Sequence, residues 1–280
     1  MCTVRSPRWL HARIALFLLL AAGLQAVHAQ LTPEQVTQLR TVTSVALSPD
    51  ARWAAYTVSH PRAPEEDTVA GLRGISELWV APVAGGAPRA VIERPLSASG
   101  PAWSPDGSLL GFVHRGQVHV VPAEGGEARS ITSMSTNVTS FKWSPDGRTI
   151  AFTANVAEAA GLAESRRRGD DAIVSSGPVL RWLPGAPAAS VQLWVQPAGG
   201  GDARALTPAE HTVREFAWAP DSRTLAVQTT ETTDADADQL FRRLHLVTTD
   251  GAAPRLLTPT EGKLGPMAWS PDGTRLAYLG

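Results

Sequence analysis

Trp103-Ser104-Pro105-Asp106-Gly107 returns as Trp143-Ser144-Pro145-Asp146-Gly147 and again as Trp269-Ser270-Pro271-Asp272-Gly273. Two eroded copies join them, Leu47-Ser48-Pro49-Asp50-Ala51 and Trp218-Ala219-Pro220-Asp221-Ser222. Within two or three residues of each copy comes a short apolar run: Trp53 to Val58, Leu109 to Val113, Thr149 to Thr153, Thr224 to Val227 and Arg275 to Leu279. Each residue of the phrase suits a strand-turn-strand element. Proline presets φ near −65° at the second turn position, aspartate hydrogen-bonds its own local backbone, and glycine takes positive φ at little cost. The tryptophan closes one strand and the alternating run opens the next.

A second phrase recurs between the copies. Leu78-Trp79-Val80 leads to Gly85-Gly86, Val118-His119-Val120 to Gly125-Gly126, Leu193-Trp194-Val195 to Gly199-Gly200-Gly201, and Leu244-His245-Leu246 to Asp250-Gly251. A short strand carrying an arginine follows each time, at Arg89, Arg129, Arg204 and Arg255. The unit is therefore four strands joined by tight turns. The turn aspartates 50, 106, 146, 221 and 272 are spaced by 56, 40, 75 and 51 residues. Four-stranded units recurring at roughly 40 to 50 residues are the signature of a β-propeller, whose blades bury their faces against one another. The longer gaps read as loop insertions. An immunoglobulin-like sandwich would also give many short strands, but offers no reason for a turn phrase at blade spacing.

The expected blades run from about Val42 to Ile92, Pro101 to Thr132, Phe141 to Thr207 and Glu215 to Thr258, with a fifth beginning near Pro266 and about half built at Gly280. Blade one carries a polar excursion at Pro61 to Gly74, and blade three a large insertion between Asn155 and Ser190. Open sheet edges invite association and propellers normally close their ring, so about four and a half blades lead us to expect a fragment of a longer protein or a truncated product.

Residues 1–29 read as a signal peptide. Arg5, Arg8 and Arg13 precede the apolar stretch Ile14 to Leu24, and Val27-His28-Ala29 has the small-residue pattern of a peptidase cut before Gln30. The stretch is shorter than the ~20 residues a bilayer requires, so export to the periplasm or beyond is expected, with no membrane anchor retained. The single cysteine, Cys2, falls in this leader, which leaves the mature chain no disulfide, thiol nucleophile or cysteine metal site. The mature balance of 22 basic against 26 acidic residues gives −4 and does not suggest nucleic acid as a partner. Residues 30–41 contain a short helix in which Thr32 is the N-cap, Pro33 the first helical residue and Gln35 the end of a capping box. The propeller then occupies 42–280.

Several residues invite a chemical reading and receive a plainer one. Asp234, Asp236 and Asp238 imitate the start of a calcium loop, yet Gln239 stands where glycine is needed and His245 where glutamate is. The seven histidines show no metal spacing, and His114 and His119 flank a turn of blade two. Arg166-Arg167-Arg168, bracketed by Glu164 and Asp170-Asp171, reads as an exposed charged stretch, with contact to a substrate or a neighbouring domain as the alternative. Glu65-Glu66-Asp67 reads as a solvated loop. Trp79, Trp103, Trp143, Trp194, Trp218 and Trp269 recur at equivalent places, which argues for packing between blades and not for sugar stacking. Asn137-Val138-Thr139 matches a glycosylation sequon, and the glycine clusters lie between strands as turns, not as phosphate cradles.

The leader, the run from Leu31-Thr32-Pro33-Glu34 to Leu39-Arg40, the first-blade sequence Ser48 to Tyr56 and the two repeated phrases together resemble the N-terminal half of exported serine peptidases of the prolyl oligopeptidase family, in its dipeptidyl- and acylaminoacyl-peptidase-like branch. The turn phrase by itself is shared with TolB-type propellers. The Thr-Pro-Glu helix leading into a degenerate first turn, and the third-blade insertion, favour the peptidases. The resemblance implies a propeller that caps an α/β-hydrolase domain of the same parent chain and admits only short peptides, with Ser, Asp and His supplied downstream and the Ser on a Gly-x-Ser-x-Gly elbow. No such elbow exists here: Ser97-Ala98-Ser99-Gly100 and Ser175-Ser176-Gly177 lack the upstream glycine. No catalytic, cofactor-binding or metal-binding residue carries over, and this chain alone is expected to be inactive. A TolB-like protein-binding propeller stands as the alternative; a lactonase-like enzyme would need acidic and Asn ligands converging on the channel.

Overall fold

The computed structural model describes residues 39–61, 74–92, 97–156, 190–230, 242–258, 260 and 263–280. The chain divides into Met1–Leu39 and Arg40–Gly280, and only the second unit is treated below. The expected signal peptide and N-terminal helix, the Glu65-Glu66-Asp67 loop, the blade-three insertion with Arg166 to Arg168, and Asp234 to Asp238 all lie outside the described residues.

Alternating runs become strands and the repeated phrases become turns. Blade I comprises β1 (Thr41–Leu47), β2 (Trp53–Pro61), β3 (Gly74–Pro82) and β4 (Arg89–Ala90). Blade II comprises β5 (Ala98–Trp103), β6 (Leu109–His114), β7 (Gln117–Pro122) and β8 (Arg129–Ser130). Blade III comprises β9 (Val138–Trp143), β10 (Thr149–Asn155), β11 (Val191–Pro197) and β12 (Arg204–Ala205). Blade IV comprises β13 (Thr212–Trp218), β14 (Thr224–Thr230), β15 (Arg243–Thr248) and β16 (Arg255–Thr258), and a two-stranded sheet follows, β17 (Met267–Trp269) with β18 (Leu276–Tyr278). Every pairing is antiparallel and joins sequence neighbours, so each blade is a meander. The fold is an all-β propeller.

The first strand of each of the four full blades carries a register shift, at Val42/Ser44, Ser99/Ala102, Thr153/Ala154 on the partner of β9, and Val213/Glu215. A bulge bends its strand and increases the local twist. In blades I and III the strand-two threonine fastens this irregularity: Thr57 Oγ1 bonds Thr43 Oγ1 at 2.7 Å and Ser44 Oγ at 2.6 Å, and Thr153 Oγ1 bonds Thr139 Oγ1 at 2.8 Å and Ser140 Oγ at 2.7 Å.

The cores lie between blades. Leu78, Val80, Leu110 and Phe112 fill the seam of blades I and II; Val118, Val120, Phe141, Ile150 and Phe152 fill the next. Leu193, Val195, Phe216, Leu225 and Val227 join blades III and IV, and Leu244, Leu264 and Met267 join blade IV to the last sheet. Among the described residues the outer face of blade I has no such neighbour: Val42, Val45 and Leu47 are 56%, 63% and 61% exposed, whereas Trp103, which stands in blade II where Leu47 stands in blade I, is 8% exposed. In this arc, Leu47 occupies a tryptophan position that no described blade covers.

Candidate functional site

The Ser-Pro-Asp turns line up along one side of the arc, and each is a small hydrogen-bonded unit. In blade II, Gly107 N donates to Ser104 O at 2.8 Å, closing the β-turn, and Ser104 N donates to Leu109 O at 2.9 Å. The buried Ser104 hydroxyl donates to Asp106 Oδ1 at 2.6 Å and accepts from Leu109 N at 2.9 Å, while Ser108 N donates to Asp106 Oδ1 at 3.0 Å. Serine, aspartate and the first residue of the next strand are thus fixed together. Ser48, Ser144 and Ser270 repeat the arrangement.

Blade IV solves the same problem without the serine. Ala219 stands there, and Thr224 donates both its N (2.8 Å) and its Oγ1 (2.7 Å) to the Asp221 carboxylate. The fifth turn position takes positive φ throughout, 72° at Gly107 and 71° at Gly147, and also 56° at Ala51 and 57° at Ser222. At Ser222 the hydroxyl gives something back by accepting from Asp146 N at 3.0 Å.

These bonds hold the turn carboxylates ionised. The Ser104 hydroxyl, then Ser108, keep Asp106 below the ordinary carboxylate range, and Ser48, Ser144 and Thr248 lead the same effect at Asp50, Asp146 and Asp250. At Asp272 the Ser270 hydroxyl and Thr274 bring the value down to about 2. Burial works against ionisation at Asp221, and bonds from Arg223 N and Thr224 overcome it.

Four of the repeated tryptophans tie each blade to the one before. Trp103 Nε1 donates to Ala46 O at 3.0 Å, Trp143 Nε1 to Ala102 O at 3.1 Å, Trp218 Nε1 to Lys142 O at 3.2 Å and Trp269 Nε1 to Ala217 O at 3.2 Å. The acceptor is always the residue preceding the tryptophan, or Leu47, of the neighbouring blade. Trp79 and Trp194 belong to third strands and behave differently: Trp79 Nε1 donates to Glu77 Oε2 at 3.0 Å within its own strand, and Trp194 packs its ring into the seam of blades II and III. Glu77 is buried, with Arg40 Nη1 at 3.7 Å and His60 Nε2 at 3.3 Å.

The fourth-strand arginines, visible in the sequence only as a recurring residue, form a second set of ties. Arg89 Nη2 donates to Ala123 O at 2.6 Å, in the turn between β7 and β8 of the next blade, and Arg204 Nη2 donates to Thr249 O in the corresponding turn of blade IV. On the first strands, Lys142 Nζ donates to Glu215 Oε1 and to Phe216 O, both at 2.6 Å, and lies 5.0 Å from the Phe216 ring centroid. The corresponding residues of the other blades are Ala46, Ala102, Ala217 and Ala268, so this ion pair is an individual feature of blade III.

His114 and His119 end β6 and sit within β7, ring centroids 5.2 Å apart, with His114 Nδ1 donating to Ser97 O at 2.8 Å. Burial lowers the pKa of His119, which favours the neutral ring. Of the sequon, Asn137 is exposed just ahead of β9, whereas Val138 is buried and Thr139 Oγ1 is bonded to Thr153. Among the described residues no group of three or more His, Cys, Asp or Glu side chains is placed to hold a metal, and no helix is long and apolar enough to cross a membrane.

One cleft of about 270 Å³ opens in this framework, between the turn side of blades II and III. Asp106, Ser108, Arg129, Trp143, Asp146 and Gly199 line it.

No protein-family model matches the sequence, and no curated protein does. Among solved structures the chain is similar to a TolB from Agrobacterium tumefaciens, with a TM-score of 0.51 and 21% identity over 85% of this chain and 75% of that one. It is similar to the acylaminoacyl peptidase of Pyrococcus horikoshii, with a TM-score of 0.57 and 14% identity over 82% of this chain. It covers 34% of that peptidase, about a third of its length. A β-propeller domain of Cps50 (Swd1) from Myceliophteria thermophila matches with a TM-score of 0.50 and 11% identity, over 85% of this chain and 61% of that one. At these identities the likeness is one of fold: propellers of the TolB and acylaminoacyl-peptidase kind.

Proposed function

We propose that this chain is the gating β-propeller of an exported serine peptidase that hydrolyses short peptides, with a Ser-Asp-His hydrolase domain following the propeller in the parent chain. In this reading residues 1–29 are removed after Ala29, the mature protein works in the periplasm or outside the cell, and the propeller admits substrate without performing chemistry. The observation that carries the reading is the first blade. A Thr-Pro-Glu segment leads into a turn that keeps Ser48, Pro49 and Asp50 but has Leu47 and Ala51 where the other blades have tryptophan and, mostly, glycine. The retained residues make the turn itself, with Ser48 Oγ donating to Asp50 Oδ1 at 2.6 Å. The lost tryptophan is the one that ties a blade to its predecessor, so blade I does not make this tie.

A second reading, a non-enzymatic TolB-like propeller that binds a protein partner, draws on the intact Trp-Ser-Pro-Asp-Gly turns of blades II and III. The two part in a labelling experiment. The native product, captured from its host with an antibody raised against residues 97–156, is treated with a fluorophosphonate. The peptidase reading expects a labelled product well above 29.6 kDa that cleaves short peptide amides; an unlabelled, inactive product overturns it.

A further inference from the structure

Among the described residues, the arginine tie is open at the cleft between blades II and III. Arg89 and Arg204 each reach a turn of the next blade, where they meet a main-chain carbonyl, lie against a turn glycine and have an acidic residue close by. For Arg89 these are Ala123 O, Gly125 and Glu124; for Arg204 they are Thr249 O, Gly251 and Asp250. Glu124 acts electrostatically on Arg89, opposing the larger effect of burial, and Arg204 acts on Asp250. Arg129 occupies the same place on β8, facing the turn Ala198-Gly199-Gly200 of blade III. There the acidic residue is replaced by Gly199. No arginine atom lies near a Cβ built on Gly200, the counterpart of Gly125 and Gly251, and the Arg129 guanidinium, unlike its strand backbone, makes no hydrogen bond among the described residues. The guanidinium lines the cleft instead.

We propose that this cleft binds a small zwitterion, a free α-amino acid or a dipeptide, whose carboxylate is held by Arg129, the guanidinium that lacks the main-chain carbonyl contact made by Arg89 and Arg204. A guanidinium presents a planar fork of donors that suits a carboxylate. A plain anion would meet Asp106 and Asp146, which line the same cleft, so the occupant also carries an ammonium to offset their charge. The size agrees, since 270 Å³ falls just below the ~300–1,000 Å³ of pockets for drug-sized ligands. Trp143, held by its bond to Ala102 O, supplies an apolar wall.

The test is a titration of the ¹⁵N-labelled 280-residue chain with L-alanyl-L-alanine, N-acetyl-L-alanine and L-alanine amide. The expected result is saturable shifts at the Trp143 indole and the Gly199 amide with the dipeptide, and binding at least about ten-fold weaker for either half-ligand, one charge contact being lost in each. Arg129→Gln should weaken the dipeptide by a similar factor. Gly199→Glu restores the internal acid in open space, with nothing within 4 Å of its Cβ; it should abolish binding while the protein stays folded, as an unchanged thermal midpoint would show. No shifts at Trp143 and Gly199, or binding untouched by either substitution, overturns the site. Equal binding of N-acetyl-L-alanine overturns the role given to Asp106 and Asp146.

Discussion

Replacing the turn serine by alanine should cost different amounts in different blades, and the structure says which. Ser104 and Ser144 are both buried, and each hydroxyl makes two bonds, one to the turn aspartate and one from the next strand's first amide. At about 1 kcal/mol net for each bond, Ser104→Ala should cost about 2 kcal/mol. Blade III has an escape that blade II lacks. Thr149 stands three residues after Asp146, as Thr224 stands after Asp221, and in blade IV that threonine gives its amide and its hydroxyl to the aspartate with Ala219 in the serine position. Blade II has Leu109 there, with no hydroxyl to offer. Ser144→Ala can therefore relax into the blade IV arrangement and should cost only about 1 kcal/mol. With a urea m-value of about 2–3 kcal/mol/M the two variants should differ by about 0.4 M in midpoint. Carboxyl NMR supplies a second readout: Asp106 loses the hydroxyl that most lowers its pKa, so its titration moves up toward the ordinary range in Ser104→Ala. Equal losses in the two blades, a larger loss for Ser144→Ala, or an unmoved Asp106 would refute the turn account.

Three further outcomes follow from the same geometry. Trp143→Phe keeps an aromatic ring beside Phe141 but removes the bond to Ala102 O, and should cost about 1–2 kcal/mol by urea denaturation. Ala51→Gly relieves a left-handed alanine at φ 56°, and should stabilise by about 1 kcal/mol in the same assay. The turn aspartates have folded-state pKa values below their unfolded ones, so their stabilisation is complete above the unfolded value near 4 and is lost as pH falls through the folded one, about 2 at Asp272. The thermal midpoint should accordingly hold from pH 7 to about 5 and decline between about 4 and 2, with a shallower decline in Asp272→Asn.

The turns were legible because their cause is local. Proline, aspartate and glycine specify a turn without reference to anything distant, and their spacing gave the blades. The tryptophans were legible as equivalent positions, but their equivalence hid two roles. Trp103, Trp143, Trp218 and Trp269 close first strands and donate to the preceding blade, whereas Trp79 and Trp194 lie in third strands. The arginines show the limit most clearly. Arg89, Arg129, Arg204 and Arg255 look alike in sequence, and only the facing turn distinguishes a tie from an open cleft, because that turn lies in another blade about 34 to 70 residues away. The signal was present all the same: Glu124 and Asp250 align with Gly199 once the turns are superposed. Likewise Lys142 reveals itself only by standing where other blades have alanine, and its partner Glu215 belongs to the next blade.

The most direct test of the proposal that this propeller serves a peptidase is the DNA sequence through and beyond the codon for Gly280. The account predicts an open frame that continues through further Ser-Pro-Asp turns and into a hydrolase domain with a Gly-x-Ser-x-Gly elbow. A frame that completes one or two blades and then stops would contradict it and leave a binding propeller.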